Sequence, residues 1–321
     1  MMQSWQTDML NLQLSLSMKP MFRFLGSVDR VRSLVNMMDL TIGKLGIPRG
    51  TQRTKANIPG APFAAEWVSH DDSPKKRVIL YLPGGAYILR MPNTHTGMVS
   101  RLCRMADAKA LMAYYRLAPE HPFPACLEDA VMAYKWLLKK GISPKQIIIA
   151  GDSAGGGLTM STLLSIRDQG LPAPACAYML SPLLDVSDNA ASRWKNAASD
   201  KALPSAHKRA INPRPLFVGD YAIDDPLISP LFGDYHGLPP LYVQVSDSEM
   251  LLDDSLRMAR RGHTYQVEVK VDIWRKVPHV WQAFPFLPES RDALGKAACF
   301  MREQVPLSTP AKRYTKTLEP A

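Results

Sequence analysis

Residues 151–155 read G-D-S-A-G, between an apolar run at residues 146–150 and a helix-like stretch at residues 157–169. A serine flanked by glycines at this spacing, on a turn from strand to helix, is typical of a nucleophile elbow. The glycines are needed because side chains two residues from the serine would collide in such a tight, strained turn. The pattern predicts that Ser153 is a nucleophile.

A serine hydroxyl needs a base to activate it and an acid to orient that base. Where an elbow serine uses a triad, the chain order is serine, acid, histidine. Two of the seven histidines, His263 and His279, follow every candidate acid. His279 comes just after the last predicted strand, where a loop can return its ring over the sheet edge. His263 follows Gly262 at a predicted helix end and is better suited to capping that helix. His279 is therefore the predicted base.

Four carboxylates follow the apolar run Leu241–Val245: Asp247, Glu249, Asp253 and Asp254. The last two fall within the next predicted helix, where an acidic side chain suits the first turn. Asp247 and Glu249 both lie at the strand end. The residue pattern alone does not choose between them as the orienting acid.

The mechanism also requires an oxyanion hole, because the tetrahedral intermediate carries negative charge on the former carbonyl oxygen. Residues 78–87 read V-I-L-Y-L-P-G-G-A-Y, an apolar run that leads into a Gly-Gly turn. Backbone N–H groups in such a turn can face a substrate without hindrance. A Pro-Gly-Gly turn alone is ordinary, but its place about 70 residues before the elbow suits this role.

The elements that would position these residues are short apolar runs separated by helical stretches. The predicted strands are Arg77–Leu82, Ala110–Tyr115, Gln146–Ala150, Ala175–Leu180, Leu241–Val245 and Val267–Ile273. The first five are nearly continuous apolar runs, as expected of strands buried on both faces. The predicted crossover helices are Cys126–Lys140, Gly157–Gln169 and Asp253–Gly262. The pattern predicts an α/β fold with a mostly parallel sheet covered by helices on both sides.

Two segments break this rhythm. Residues 1–55 have apolar residues at three- and four-residue intervals and are predicted to be helical, whereas residues 187–221 are long, basic, rich in Ala and Pro, and predicted to contain no strand. The predicted division is an N-terminal helical segment (1–55), the first core part (56–186), an insertion (187–221), the second core part (222–306) and a disordered tail (307–321).

The net charge of +10 raises nucleic acid as a partner. The excess lies in peripheral segments: residues 1–60 hold eight Lys or Arg against three Asp, and residues 188–214 hold six against two. Neither segment contains zinc-finger spacing, basic heptads or an RNA-binding signature. We therefore predict no nucleic-acid partner. Charged residues are 21% of the chain and hydrophobic residues 46%, which is typical of a folded globular protein.

The four cysteines, Cys103, Cys126, Cys176 and Cys299, show no C-x-x-C spacing. This pattern suggests neither a zinc site nor a disulfide framework and favours a reducing cytoplasm. The N-terminal residues lack the unbroken apolar region of a secretory signal. No stretch approaches the roughly 18 apolar residues of a membrane span. We predict no metal, no organic cofactor and no stable membrane insertion.

Taken together, these stretches resemble the hormone-sensitive-lipase-like α/β-hydrolases, also called family IV bacterial esterases. The resemblance covers residues 62–302. It is most specific at Y-R-L-A-P-E-H-P-F-P-A (residues 115–125), G-D-S-A-G-G (151–156), L-S-P (180–182) and P-H-V (278–280). The resemblance implies the α/β-hydrolase fold with a helical cap, formed by residues 1–55 and 187–221, which covers the pocket and selects the acyl chain.

The resemblance also bears on the acid and on the oxyanion hole. Aligned from L-P-P at residues 238–240, Glu249 falls on the catalytic aspartate of the family's D-P-L-x-D-E motif, so Glu249 is preferred and Asp247 remains the alternative. The family's H-G-G-G/A motif has Pro83 in place of its histidine, which puts the loop orientation in question. The resemblance implies oxyanion donors at the N–H groups of Gly84, Gly85 and Ala154.

The resulting prediction is a serine carboxylesterase that hydrolyses short- to medium-chain acyl esters through Ser153, His279 and Glu249. An amidase, thioesterase or deacetylase with the same triad is the first alternative, because fold and triad do not fix the leaving group. A non-catalytic small-molecule binder is the second, although the presence of His279 argues against it. A homodimer is expected only by analogy with family members.

Overall fold

The computed structural model describes residues 3–70, 75–187, 189–204 and 211–306, and for residues 19–23 it describes only the backbone. The strands are β1 (Gln52–Ala56), β2 (Ala64–Ser69), β3 (Arg77–Leu82), β4 (Ala108–Tyr114), β5 (Ile147–Asp152), β6 (Cys176–Leu180), β7 (Leu241–Ser246) and β8 (Val269–Trp274). The helices are α1 (Trp5–Phe24), α2 (Val28–Met38), α3 (Pro92–Ala106), α4 (Ala125–Lys139), α5 (Ala154–Asp168), α6 (Ser192–Lys195), α7 (Pro213–Val218), α8 (Leu252–Thr264) and α9 (Pro288–Gln304). The predicted tail lies outside the described residues.

The eight strands form one sheet in the order β1-β2-β4-β3-β5-β6-β7-β8. Strands β3 to β8 run parallel to one another. All six residues of β3 are buried, as are all those of β5 and β7. This burial explains their nearly continuous apolar sequences. The predicted α/β fold with a mostly parallel sheet is confirmed.

Two strands were absent from the sequence prediction. Residues 52–55, placed in the helical N-terminal segment, instead form with Ala56 the edge strand β1, antiparallel to β2. Four of the five β1 residues are exposed, so the strand has no apolar run to reveal it. Its backbone pairs with β2, and the side chains of Arg53 and Glu66 form an ion pair of 2.8 Å across the two strands. The second missed strand, β2, pairs antiparallel with β4.

Helices cover both faces of the sheet. Residues of α4, α5 and α8 share one buried cluster with strands β3 and β5, and residues of α3 and α9 share another on the opposite face. Helix α2 joins the first cluster through Val31 and Val35. Helix α1 packs through Leu10 and Leu14 against a third cluster that includes Trp281.

Residues 187–221 contain α6, α7 and, among their described residues, no strand. The Arg193 guanidinium of α6 is buried and lies 3.0 Å from the Asp254 carboxylate of α8. This ion pair attaches the segment to the second core part. The division of the chain into cap and core segments stays a prediction.

Candidate active site

Ser153 lies on the turn between β5 and α5, at the carboxyl edge of the sheet. Its φ of 52° lies in the left-handed region that L-residues rarely adopt, and its N–H donates to the carbonyl of Leu180 at 2.8 Å. A Cβ on Gly155 would overlap the carbonyl oxygen of Leu82, and one on Gly151 would overlap that of Gly155. The close approach of these backbones explains both glycines of the motif.

His279 and Glu249 reach the same edge from two loops, one after β8 and one after β7. The His279 Nδ1 and the Glu249 Oε2 are 2.6 Å apart. The other carboxylate oxygen, Oε1, accepts hydrogen bonds from the Ser181 hydroxyl at 2.8 Å and the Ser246 N–H at 2.6 Å. Glu249 is only 1% exposed. The carboxylate is therefore fixed on both oxygens, with one directed at the histidine.

Asp247, the alternative acid, lies elsewhere in the same loop. Its side chain is exposed, and its Oδ1 accepts a hydrogen bond from the Lys276 N–H at 2.7 Å. This contact ties the loop after β7 to the loop after β8. The geometry assigns Asp247 to loop structure and brings Glu249, not Asp247, to His279.

The electrostatics of His279 follow from these contacts. Burial alone would lower the pKa of the imidazole, but the hydrogen bond and charge of Glu249, with smaller contributions from Asp200 and Asp152, raise the pKa above its ordinary value. The protonated ring is therefore stabilised, as a base that accepts a proton during the reaction requires.

The predicted oxyanion donors need one correction. The N–H of Gly84 donates to the Asp152 Oδ1 at 2.9 Å, so it is not available to a substrate oxygen. Among the described residues, no acceptor pairs with the N–H of Gly85 or of its neighbour Ala86. Ala154 is the first residue of α5, where an N–H has no intrahelical partner. Within the described part of the chain, the N–H groups of Gly85, Ala86 and Ala154 are left without an acceptor.

Asp152 is the centre of a buried network that the sequence did not reveal. Besides Gly84, its carboxylate accepts from the Tyr81 hydroxyl at 2.8 Å, and its Oδ2 lies 3.2 Å from the His95 Nε2. The His95 Nδ1 lies 2.8 Å from the carbonyl of Met91. The network joins the oxyanion loop to the elbow. No sequence motif pairs Asp152 with His95, which lies 57 residues away.

The ionisation of this network agrees with its geometry. Burial alone would raise the pKa of Asp152, but His95, Tyr81 and Gly84 together lower it below its ordinary value. Burial alone would lower the pKa of His95, whereas the charge and hydrogen bond of Asp152 raise it. Both directions favour a carboxylate beside an imidazolium.

The insertion holds the acid loop from outside. The amide group of Asn196 donates to the carbonyls of Asp247 and Glu249 at 3.0 and 2.9 Å. The buried Asp200 accepts a hydrogen bond from the Met250 N–H at 2.9 Å, and burial raises its pKa. Neither residue carried a sequence signal, because their partners are backbone groups distant in the chain.

A cavity of about 130 Å³ opens at Ser153. Both predicted cap segments contribute to its wall: Val31 comes from α2 and Phe217 from α7. The ring of Tyr87 stacks on that of Phe217 with 3.7 Å between centroids. A larger open groove of about 710 Å³ runs along α4 beside Trp136 and does not include Ser153 or His279.

Across the described ranges, three or more His, Cys, Asp or Glu side chains nowhere converge as a metal site would require. Within the same part of the chain, every helix is too short or too polar to cross a membrane. A cytoplasmic location and a homodimer stay predictions.

Serine at a strand-to-helix turn, with histidine and a carboxylate on later loops of a mostly parallel sheet, defines an α/β-hydrolase. The family model described as "alpha/beta hydrolase fold" matches residues 79–283, and the chain belongs to that family. It is 38% identical over 280 residues to an acetyl-hydrolase of Streptomyces hygroscopicus, covering 86% of this chain and 90% of the relative.

Two solved structures resemble the chain over nearly its whole length. An esterase from the bacterial hormone-sensitive lipase family is 35% identical with a TM-score of 0.87, covering 95% of this chain and 100% of the other. The esterase EstE5, from a crystal soaked with p-nitrophenyl butyrate, is 36% identical with a TM-score of 0.86 and the same coverage. The chain is a carboxylic ester hydrolase of the hormone-sensitive-lipase-like group.

Proposed function

We propose that the protein hydrolyses short- to medium-chain acyl esters through Ser153, His279 and Glu249. The observation that carries the proposal is the 2.6 Å contact between His279 Nδ1 and a Glu249 carboxylate that two further hydrogen bonds fix in place. A fixed carboxylate on Nδ1 holds the proton there and leaves Nε2 to accept the serine proton. The serine on its strained turn at the same sheet edge supports this assignment.

In the acylation step, the Ser153 Oγ attacks the ester carbonyl carbon and passes its proton to the Nε2 of His279. The N–H groups of Gly85, Ala86 and Ala154 stabilise the oxyanion of the tetrahedral intermediate. The intermediate collapses, the C–O bond to the alcohol breaks, and the leaving alkoxide takes the proton from His279. An acyl-enzyme on Ser153 remains.

In the deacylation step, water gives a proton to His279 Nε2 and its oxygen attacks the acyl carbon. The second tetrahedral intermediate collapses, the bond to Ser153 breaks, and the Ser153 Oγ recovers the proton from His279. The acid product then leaves. Glu249 stabilises the imidazolium in both steps without taking its proton.

The preference for shorter acyl chains is supported by the small cavity at Ser153, about 130 Å³, and by its apolar walls. Two relatives also support a preference for short acyl chains. One is named an acetyl-hydrolase, and the EstE5 crystal was soaked with p-nitrophenyl butyrate. We expect turnover to peak between acetyl and hexanoyl esters and to decline for longer chains.

The test is hydrolysis of p-nitrophenyl esters from acetyl to palmitoyl by wild type and by Ser153→Ala. We expect kcat to fall about 10⁶-fold in the variant. Ser161→Ala is the matched control, because the Ser161 hydroxyl donates within α5 to the carbonyl of Gly157. Labelling of wild type by an organophosphate, located by mass spectrometry, should map to Ser153. Equal ester turnover by Ser153→Ala would refute the nucleophile. Labelling at Ser153 without ester turnover would favour an amidase or thioesterase.

A further inference from the structure

Helix α1 carries apolar side chains on two opposite faces. Its inner face packs Leu10 and Leu14 into the core. Trp5, Met9, Leu12 and Leu16, at four- and three-residue spacing, lie along the other face and are 63–71% exposed. We call these four residues the outer stripe. Single exposed apolar residues are normal on a protein surface, but a continuous row of large ones is typical of a docking surface.

The N-terminal segment carries a second group of exposed apolar side chains. Leu40, Ile42 and Leu45, which follow α2, are 57–87% exposed. The Arg101 guanidinium donates to the carbonyl of Gly46 and to those of Gln282 and Ala283, so this group is attached to the turn at residues 281–283.

Helix α1 also packs against the turn at residues 281–283. Leu10, Leu14 and Trp281 share one buried cluster, and Phe284 packs against it. The side chain of Phe286, two residues further on, is 57% exposed. We call the outer stripe, Phe286 and residues 40–45 together the outer cap face. It adjoins the loop that carries His279.

The segment that carries this face has a net positive charge. Residues 1–60 contain eight Lys or Arg and three Asp, although Arg32 and Arg53 pair with glutamates and Asp8 is exposed on α1 next to Met9. Lys44 is exposed between Ile42 and Leu45, and Arg30 and Arg49 are exposed in the same N-terminal segment. A large apolar surface with interspersed cationic side chains and a tryptophan fits the interface of an anionic membrane. A second copy of this chain would present the same basic segment to this face, and the two positive surfaces would repel each other.

We propose that the outer cap face docks the protein on the surface of an anionic lipid bilayer, without spanning it. The apolar side chains enter the headgroup region and the basic side chains contact lipid phosphates. Docking would place the loop carrying His279 beside the lipid. This inference concerns binding and does not depend on the proposed catalytic residues.

The test is sedimentation of the full chain with phosphatidylcholine vesicles that contain no or 30% phosphatidylglycerol. We expect binding to the anionic vesicles that weakens with added salt. Leu12→Ser/Leu16→Ser should reduce the partition coefficient roughly tenfold or more, because two large apolar side chains are removed from the interface. Ile273→Ser/Phe232→Ser is the matched control, since both residues are exposed but lie outside the outer cap face; its binding should equal that of wild type.

Folding of each variant is checked by circular dichroism and by p-nitrophenyl butyrate turnover, which the Leu12→Ser/Leu16→Ser change should leave unchanged. If neither wild type nor any variant turns over the ester while wild type still binds vesicles, the proposed function fails and this inference stands. Equal binding by wild type and Leu12→Ser/Leu16→Ser would overturn the inference. Light scattering provides a second check. If wild type is a dimer and Leu12→Ser/Leu16→Ser is a monomer, the inference is also overturned, because a second copy of the chain would then cover the face.

Discussion

Two histidines, the buried His95 and the partly buried His279, face buried carboxylates, and they differ in what their second ring nitrogen contacts. In His279, Nδ1 meets Glu249, and among the described residues nothing pairs with Nε2. In His95, Nδ1 meets the carbonyl of Met91 and Nε2 meets Asp152. Both partners of His95 are acceptors and its pKa is raised by Asp152, so the protonated ring, which donates from both nitrogens, is favoured.

The difference separates a base from a positioning residue. A ring with one nitrogen held by a carboxylate and the other unengaged can accept and return a proton. A ring with both nitrogens engaged has no site for a substrate proton. The His95–Asp152 pair instead holds the Gly84 N–H, and with it the oxyanion loop. This network supplies an anchor for a loop in which Pro83 replaces the family's histidine.

Among the substitutions that test this comparison of the two histidines, Glu249→Gln has the largest expected effect. The glutamine amide can donate to Nδ1 and so favour the imidazole tautomer that cannot take the serine proton. We expect kcat for p-nitrophenyl butyrate to fall by about 10³ to 10⁴. The matched control is Asp247→Asn in the same loop, whose side chain bonds the Lys276 N–H; its kcat should change less than about threefold. The reverse ranking would make Asp247 the orienting acid.

The pH dependence of kcat/KM distinguishes His279 from His95. Only the neutral imidazole of His279 can act as base, and Glu249 raises its pKa above the ordinary value of about 6.5. The ratio kcat/KM should therefore fall about tenfold per pH unit below a midpoint above 6.5. The midpoint should be the same in His95→Gln. A midpoint that disappears in His95→Gln would assign the titrating base to His95.

His95→Gln is expected to lower kcat about tenfold with little change in KM, because the oxyanion loop loses part of its anchor. The charge pair with Asp152 is lost as well, at a cost of about 3 kcal/mol in unfolding free energy. Since folding raises the pKa of His95, this stabilisation is complete below pH about 6.5 and is lost as the pH rises through the folded-state pKa.

Urea unfolding of wild type and His95→Gln at pH 6 and pH 9.5 measures this contribution. The difference in unfolding free energy should be larger at pH 6. The control is His236→Gln, an exposed histidine that meets an exposed Asp234. A His95→Gln enzyme with unchanged kcat would show that the pair stabilises the fold without positioning the loop.

The sequence predicted the parts of the site that depend on local chain geometry. Ser153 was identifiable because glycine is required where its turn lies against Leu82, and the buried strands because burial on both faces demands apolar runs. The edge strand β1 escaped prediction because its exposed residues need not be apolar. The hydrogen bond from the Gly84 N–H to Asp152 was not predicted, because every residue except proline has a backbone N–H and the sequence does not show which acceptor it uses. His95 and Asp200 contact groups far away in the chain, which periodicity cannot reveal.

The smallest expected effect, Pro83→His, tests how complete this anchoring is. The carbonyl of Pro83 accepts a hydrogen bond from the Tyr115 hydroxyl at 2.6 Å, and the next residue is held by Asp152. Both contacts involve groups that the substitution leaves in place. We therefore expect kcat to change less than about threefold in Pro83→His, and the same change to recover less than about threefold of the activity lost in His95→Gln. A large gain in kcat in the wild-type background would mean that the Asp152 network leaves the oxyanion loop misplaced. A histidine at position 83 would then support the loop better than this network does.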